Sequence, residues 1–206
     1  MIHEIDEALR GLLLAPLSGS GAELVLDAPT REWAARRTGP AVNAYLYDIR
    51  EELSRRERGL VALRDDRGVV VKHRQPYRWF RLSYLVTAWT ATPQDEHRLL
   101  SAVLACLLRN DFLPPEALGG VLAELGVPVP VSAAAPPAES RSLADIWSAM
   151  GGELKPSLDV VVTTPFPVSP EFEAAPPVTQ AGVRVRSTTG SPDDSALRTG
   201  PRGELP

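Results

Sequence analysis

The stretch YRWFRLSYLVTAWTATPQDEHRLLSAVLACLL spans residues 77–108 and joins two strong secondary-structure signals. Residues 77–90 are rich in aromatic and β-branched side chains, which is typical of a long strand inside a sheet. After residue 92 the apolar side chains recur at helical spacing. We therefore expect a central strand that is followed directly by an amphipathic helix.

The junction TPQDEHRLL (92–100) places Asp95, Glu96 and His97 in a row. Thr92 is a good N-cap residue, a proline follows it at the first helical position, and acidic residues in the first turn complement the helix dipole. On this interpretation the three residues belong to a helix start. The alternative is an acid/base cluster in which His97 acts as a general base. The helix signals favour the first interpretation.

Helical and strand patterns alternate on both sides of this unit. Residues 2–15 have the spacing of an amphipathic helix, residues 41–52 alternate as a strand, and RDDRG separates two β-prone runs in a predicted hairpin at 60–74. Further elements are predicted as a strand at 22–27, a helical turn within 29–37, a helix that begins at the prolines of PPEALGGVLAEL (114–125), an edge strand or extended segment at 127–132, a helix at 142–150 with Ser142 as its cap, and a strand at 157–165. Trp147, in the short helix before the double glycine, is predicted to pack as an anchor of that helix.

Prolines punctuate the sequence after Thr164, where helical and strand patterns fade. We interpret residues 1–165 as one domain and residues 166–206 as an extended, flexible, proline-rich tail. The segment PPVTQAGVRVR (176–186) breaks this pattern. Its valines predict a docking strand that adds to a sheet edge offered by a partner.

Composition and charge exclude several classes of protein. The net charge of -4 and the pI near 5.5 argue against a dedicated nucleic-acid binder. No apolar run approaches the roughly 18 residues of a membrane span, and the first residues do not resemble a signal peptide. We therefore expect a cytoplasmic protein without direct membrane insertion. The single cysteine, Cys106, lies among leucines and is predicted to be a buried thiol.

Motifs for catalysis or cofactor binding are missing from the sequence. The three histidines, His3, His73 and His97, have no metal-ligand spacing. GSGAEL (19–24) lacks the third glycine and the lysine of a nucleotide-binding loop, and no Gly-x-Ser-x-Gly elbow occurs. We predict no catalytic, cofactor-binding or metal-binding residues, and hence a protein that is not an enzyme.

Arginines alternate with aromatic or acidic side chains in two stretches, HRQPYRWFR (73–81) and the mixed-charge run 50–67. Basic and aromatic mixtures can stack nucleic-acid bases, but arginine and tryptophan also dominate protein-interface hot spots. The acidic net charge favours a protein interface. The candidate interface residues, together with two valines of the tail strand, are Arg55, Arg56, Arg58, Arg74, Arg78, Trp79, Arg81, Val183 and Val185.

Three stretches together resemble a known family: NAYLYDIREE (43–52), RLSYLVTAWTATPQDEHRLLSAVLACLLR (81–109) and SLADIWSAMGGELKPSLDVVVTTP (142–165). They are similar to the cap, or tail-terminator-like, proteins of bacterial phage-tail-like contractile injection systems. The resemblance extends over nearly the whole chain up to residue 165. It implies an α/β (α+β) fold: a single tail-terminator-like domain with a mixed, mostly antiparallel sheet packed by helices.

The same resemblance implies a structural role without chemistry. Such caps are expected to form a homo-oligomeric ring, most simply a hexamer, that terminates the inner tube and the sheath at the end distal to the baseplate. The expected partners are the inner tube protein and the sheath protein, and the expected location is the bacterial cytoplasm, as part of the assembled particle. Two alternatives stay open: a nucleic-acid-binding module that uses residues 73–81, and an uncharacterised enzyme.

Overall fold

The computed structural model of the protein describes residues 1–135, 143–168 and 170–175. The helices of these ranges are α1 (Ile2–Leu14), α2 (Arg31–Ala35), α3 (Pro93–Leu107), α4 (Gly120–Leu125) and α5 (Leu143–Ala149). The strands are β1 (Glu23–Val25), β2 (Ala41–Glu51), β3 (Val61–Arg64), β4 (Val70–Arg74), β5 (Arg78–Trp89), β6 (Val131–Ala133), β7 (Ser157–Phe166) and β8 (Phe172–Glu173). Most of these elements lie where the sequence predicts them.

A five-stranded sheet with the order β1-β2-β5-β7-β6 forms the centre of the protein. β5 is its middle strand, which confirms the prediction from residues 77–90. Among the described strands of this sheet, β1 and β2 pair in parallel, whereas β2–β5, β5–β7 and β7–β6 are antiparallel. The fold is therefore α/β with a mixed, mostly antiparallel sheet, as expected.

Helices α1 and α3 cover one face of this sheet. Leu82, Tyr84 and Val86 of β5 alternate toward the helices and are fully buried. The Tyr84 hydroxyl donates a hydrogen bond of 2.7 Å to Asp6 of α1, and burial together with this bond raises the pKa of Tyr84. Cys106 is buried between α3 and α1, as predicted, and its Sγ lies 3.6 Å from the Leu12 carbonyl oxygen.

Three tryptophans cover part of the opposite face. Trp89 of β5 makes an edge-to-face contact with Trp33 of α2 at 5.3 Å between ring centroids and lies 6.4 Å from Trp147 of α5. Trp147 is 1% exposed, which confirms it as the predicted anchor of its helix. Its ring packs against Gly152, where an added Cβ would lie 3.0 Å from the indole. The cluster attaches two short helices to the sheet.

Helix α3 begins as the sequence predicts. The Thr92 hydroxyl accepts a hydrogen bond from the Asp95 N–H at 3.3 Å, and Pro93 occupies the first helical position. Asp95 is also bonded to the Thr92 hydroxyl and to Arg98, which lowers its pKa. The His97 side chain points into solvent. The structural interpretation of TPQDEHRLL is therefore confirmed.

The predicted helix at 114–125 does not begin at its prolines. A 3₁₀ turn covers Pro115–Ala117, and α4 starts only at Gly120. Gly120 has a φ of +54°, and an added Cβ would lie 2.8 Å from the Glu4 carboxylate. That carboxylate accepts a hydrogen bond from the Leu122 N–H at 3.1 Å. The prediction was wrong for two reasons. Gly120 has a left-handed backbone conformation and separates the 3₁₀ turn from α4, and the start of α4 is bonded by the Glu4 carboxylate, which is distant in sequence.

The predicted hairpin at 60–74 is confirmed, but it does not join the central sheet. β3, β4 and β8 form a separate three-stranded sheet in that order. We call residues 53–74 the arm; it is inserted between β2 and β5 and leaves the central sheet at the end formed by Glu51 and Arg78. β8 lies within the predicted tail and pairs with β4. The predicted strand 176–186 and the cap residue Ser142 lie outside the described residues.

Candidate interaction surface

Ion pairs hold the base of the arm, where β2 ends and β5 begins. Arg78 binds Glu51 with two hydrogen bonds, one of them 2.8 Å between Nε and Oε1, and Arg56 approaches the same carboxylate to 3.5 Å. The hydrogen bond from Arg78 lowers the pKa of Glu51. Because both residues lie at strand ends, this pair fixes the point at which the chain leaves the sheet.

Aromatic rings and arginines pack against each other beside these ion pairs. The Arg55 guanidinium lies 4.7 Å from the Trp79 ring centroid, and the Arg74 guanidinium lies 3.8 Å from that of Tyr77. Arg81 approaches Glu52 to 3.8 Å. The hydrogen bond from the Ser54 hydroxyl lowers the pKa of Glu52. Each arginine therefore has a partner within the chain.

The structure brings most of the predicted interface residues together. Arg55, Arg56, Arg78, Trp79 and Arg81 form one cluster at the base of the arm. Two further predicted residues lie apart from this cluster, because Arg74 ends β4 and Arg58 is exposed before β3. Val183 and Val185 lie outside the described residues.

The arm itself has exposed apolar side chains and an excess of positive charge. None of its residues is buried, and its large exposed apolar residues are Leu53, Leu60, Val69 and Val71, with exposed fractions of 65%, 56%, 42% and 39%. Residues 53–74 contain seven arginines or lysines and three acidic residues, although the whole chain has a net charge of -4. The sequence indicated mixed charge over residues 50–67, and the excess of positive charge in residues 53–74 was not predicted.

The short strand β8 is attached to the arm by both backbone and side-chain contacts. His73 stacks on Phe172 with 6.1 Å between ring centroids, and Lys72 pairs with Glu171 at 3.0 Å. The hydrogen bond to Glu171 raises the pKa of Lys72. The Ala174 N–H also donates to the Val71 carbonyl at 3.0 Å. Residues 171–174 therefore belong to the arm sheet, although strand patterns in the sequence did not indicate them.

A cleft of about 670 Å³ lies at the other end of β5, between α2 and the start of α3. Its arginines are neutralised within the chain: Arg37 is 2.5 Å from Glu23 and Arg98 is 2.7 Å from Asp95. Within residues 1–135, 143–168 and 170–175, no group of three His, Cys, Asp or Glu side chains could hold a metal ion. In the same ranges no helix is long and apolar enough to cross a membrane.

The sequence matches the family described as the Pvc16 N-terminal domain over residues 4–180. A search of curated protein sequences gives no significant match. Among solved structures, the chain resembles the sheath/tube terminator of PVC, an extracellular contractile injection system, in its extended state, with 26% identity and a TM-score of 0.68 over 92% of this chain. It also resembles the tube-terminating cap of the anti-feeding prophage, with 24% identity and a TM-score of 0.61 over 88% of this chain. The chain spans 64% and 60% of the lengths of these two proteins.

Proposed function

Because the chain belongs to the Pvc16 N-terminal domain family, we propose that it is a structural cap protein of a contractile injection system. It terminates the inner tube and the sheath at the end distal to the baseplate. The observation that carries this proposal is the likeness in fold to the PVC sheath/tube terminator over 92% of the chain. The role requires binding surfaces and no catalytic chemistry.

The cap acts as a homo-oligomeric ring, a hexamer, that matches the symmetry of the tube. A closed ring needs a heterologous interface, in which one patch contacts a different patch on the next copy. The arm and its base supply one such patch, because they combine exposed apolar residues, arginines and tryptophan, which are enriched in protein interfaces. Arg58 is a candidate contact because its side chain is exposed.

The ring binds the last layers of inner tube and sheath, and residues 166–206 contribute to this attachment through the predicted strand at 176–186. Val183 and Val185 are the side chains proposed to enter a partner's surface. The protein is made in the bacterial cytoplasm and stays part of the assembled particle. The division into a domain at 1–165 and a tail at 166–206 belongs to this proposal, with β8 as the point where the tail contacts the arm.

Deleting the gene in cells that produce the particle tests the proposed function. Electron microscopy should show tubes and sheaths of irregular length without density at the end distal to the baseplate, and expression of the intact chain should restore uniform particles. An epitope on the chain should label that same end. Particles of normal length with a complete distal end in the deletion strain would contradict the proposal.

The nucleic-acid alternative has little support in the geometry. The arginines and rings that it requires contact one another, as in the Arg55–Trp79 and Arg74–Tyr77 pairs, or bind Glu51 and Glu52. Salt-sensitive binding to single-stranded nucleic acid would revive this alternative. The two solved structures compared above are a sheath/tube terminator and a tube-terminating cap, which favours a structural role over the enzyme alternative.

A further inference from the structure

Exposed apolar side chains are concentrated in two regions of the described chain. One is the arm. The other is residues 108–125, which we call the acidic corner; it follows α3 directly and contains a 3₁₀ turn and α4. Leu108, Phe112 and Val121 of the corner have exposed fractions of 68%, 50% and 36%. Isolated exposed apolar residues need no explanation, but two such groups on one chain point to contacts with other molecules.

The two regions have opposite charge. The acidic corner contains three acidic residues, Asp111, Glu116 and Glu124, and one basic residue, Arg109. The side chains of the three acidic residues are exposed. Residues 53–74 instead have seven basic residues and three acidic ones, and this excess is partly offset by Glu51, which pairs with Arg56, and by Glu171, which pairs with Lys72. Contact between two arms would bring like charges together, whereas contact between an arm and a corner is attractive.

The acidic corner is a fixed surface. The Leu113 N–H donates to the Val129 carbonyl, and the Val131 N–H donates to the Asp111 carbonyl, both at 2.9 Å. Leu113 and Leu122 are 1% exposed, so the segment is anchored in the core. Its exposed side chains are therefore held in place before any partner binds, which lowers the entropy lost on association.

The two regions are different patches of the protein surface. The arm leaves the central sheet at the ends of the inner strands β2 and β5, whereas residues 111–113 lie beyond β6, at an edge of that sheet. A contact between different patches on successive copies is heterologous and closes a ring when the rotation is right. We infer that the arm of one copy binds the acidic corner of the next copy. This inference rests on the ring proposed above.

Cysteine cross-linking tests the contact directly. Two differently tagged full-length chains, one with Asp66→Cys on the arm and one with Ala123→Cys on the corner, both at exposed positions that the charge reversals below leave unchanged, are mixed and treated with a short bismaleimide. We expect a dimer between the two tagged chains and no dimer within either population beyond that of the unmodified chain, whose Cys106 is buried. Arm-to-arm or corner-to-corner products would overturn the inference.

Charge reversal is the second part of the test. Arg58→Glu with Arg67→Glu should weaken cross-linking roughly tenfold or more, because like charges across an interface are strongly unfavourable. Glu116→Lys with Glu124→Lys in the partner chain should restore it. The matched control is Arg31→Glu with Arg36→Glu on α2, which changes the net charge equally at exposed positions away from the arm. An equal loss in the control, or no restoration, would contradict the contact.

The same cysteine chains in assembled particles separate this inference from the proposed function. Cross-links between arm and corner at the distal end support both. A chain that is present at the distal end but is cross-linked through its arm only to sheath or tube protein, or not at all, overturns the inference and leaves the cap function intact. Absence of the chain from particles contradicts the cap function. In that case, cross-linking of the purified, mixed chains alone shows whether the arm binds the corner.

Discussion

The central sheet and the arm have similar β-rich sequences but are stabilised in different ways. β5 has seven consecutive buried residues, from Leu82 to Ala88, with helices on one face and tryptophans on the other. The arm supplies two of the three strands of its own sheet and has no buried residue, and ion pairs and ring–arginine contacts hold its base. Burial of apolar side chains therefore stabilises the central sheet, whereas the arm buries little apolar surface.

This contrast matters for the proposed cap function. A domain with its own buried core can stay folded while the arm searches for a partner, because the arm opens at low free-energy cost without disturbing the sheet. Mutations should therefore separate into two classes. Those in the sheet and its covering helices change global stability, whereas those in the arm change local protection and assembly.

The largest effect is expected for Trp147→Ala. Trp147 is 1% exposed and packs against Gly152 and the Trp89 ring, so its loss creates a cavity and should lower the free energy of unfolding by roughly 3–5 kcal/mol. The matched change in the arm, Leu60→Ala, should cost at most about 1 kcal/mol, since Leu60 is 56% exposed and buries little apolar surface. Urea unfolding measures both, and equal losses would contradict the contrast.

Gly120→Ala should have the next largest effect, of about 1–3 kcal/mol. The substitution forces a non-glycine residue to a φ of +54° and brings its Cβ to 2.8 Å from the Glu4 carboxylate. Gly119→Ala is the control, because that residue has a φ of -117° and nothing lies within 4 Å of its added Cβ. Thermal unfolding should show a clear loss for Gly120→Ala only; two similar melting curves would mean that the corner adjusts freely.

Most helices and strands were predictable because their sequence signals are local. The aromatic and β-branched run of β5, the Thr92 cap and the RDDRG turn each depend on residues close in sequence, and the structure confirms all three. Trp147 was also predicted as an anchor from its short helix. Its partners Trp33 and Trp89 were not predicted, because no periodicity connects residues so far apart in the sequence.

The features that escaped prediction depend on contacts between distant segments. The hairpin was predicted, but its separation from the central sheet was not. The alternation of apolar and polar side chains in β3 and β4 would look the same whether the hairpin joined the central sheet or formed a sheet of its own. The bond from Glu4 to Leu122 joins residues 118 positions apart, and β8 has only two residues. The candidate interface residues were predicted from mixtures of arginine and aromatic side chains. The pairing of Arg56 and Arg78 with Glu51 could not be predicted in this way, because it depends on the register between β2 and β5.

Two truncations of the tail test whether β8 stabilises the arm. Removing residues 176–206 keeps β8, whereas removing residues 170–206 deletes it and the Ala174–Val71 hydrogen bond. Both proteins should keep the cooperative unfolding of the central sheet, because neither loses a buried residue described here. Hydrogen exchange at Val71–His73 should be faster only in the longer deletion. If the longer deletion unfolds the whole domain, the arm supports the sheet and the contrast fails.

The smallest effect concerns the Glu51–Arg78 pair and acid. Because Arg78 lowers the pKa of Glu51 in the folded protein, the unfolded chain binds the proton more readily. The stabilisation is complete above the ordinary glutamate value of about 4.3 and is lost as pH falls through the lower folded value. Hydrogen exchange at the base of the arm should therefore accelerate in that acidic window, with little change in β5. Glu51→Gln should remove this pH dependence, whereas Glu57→Gln, at an exposed position nearby, should keep it. Unchanged pH dependence in Glu51→Gln would show that the ion pair does not hold the arm to the sheet.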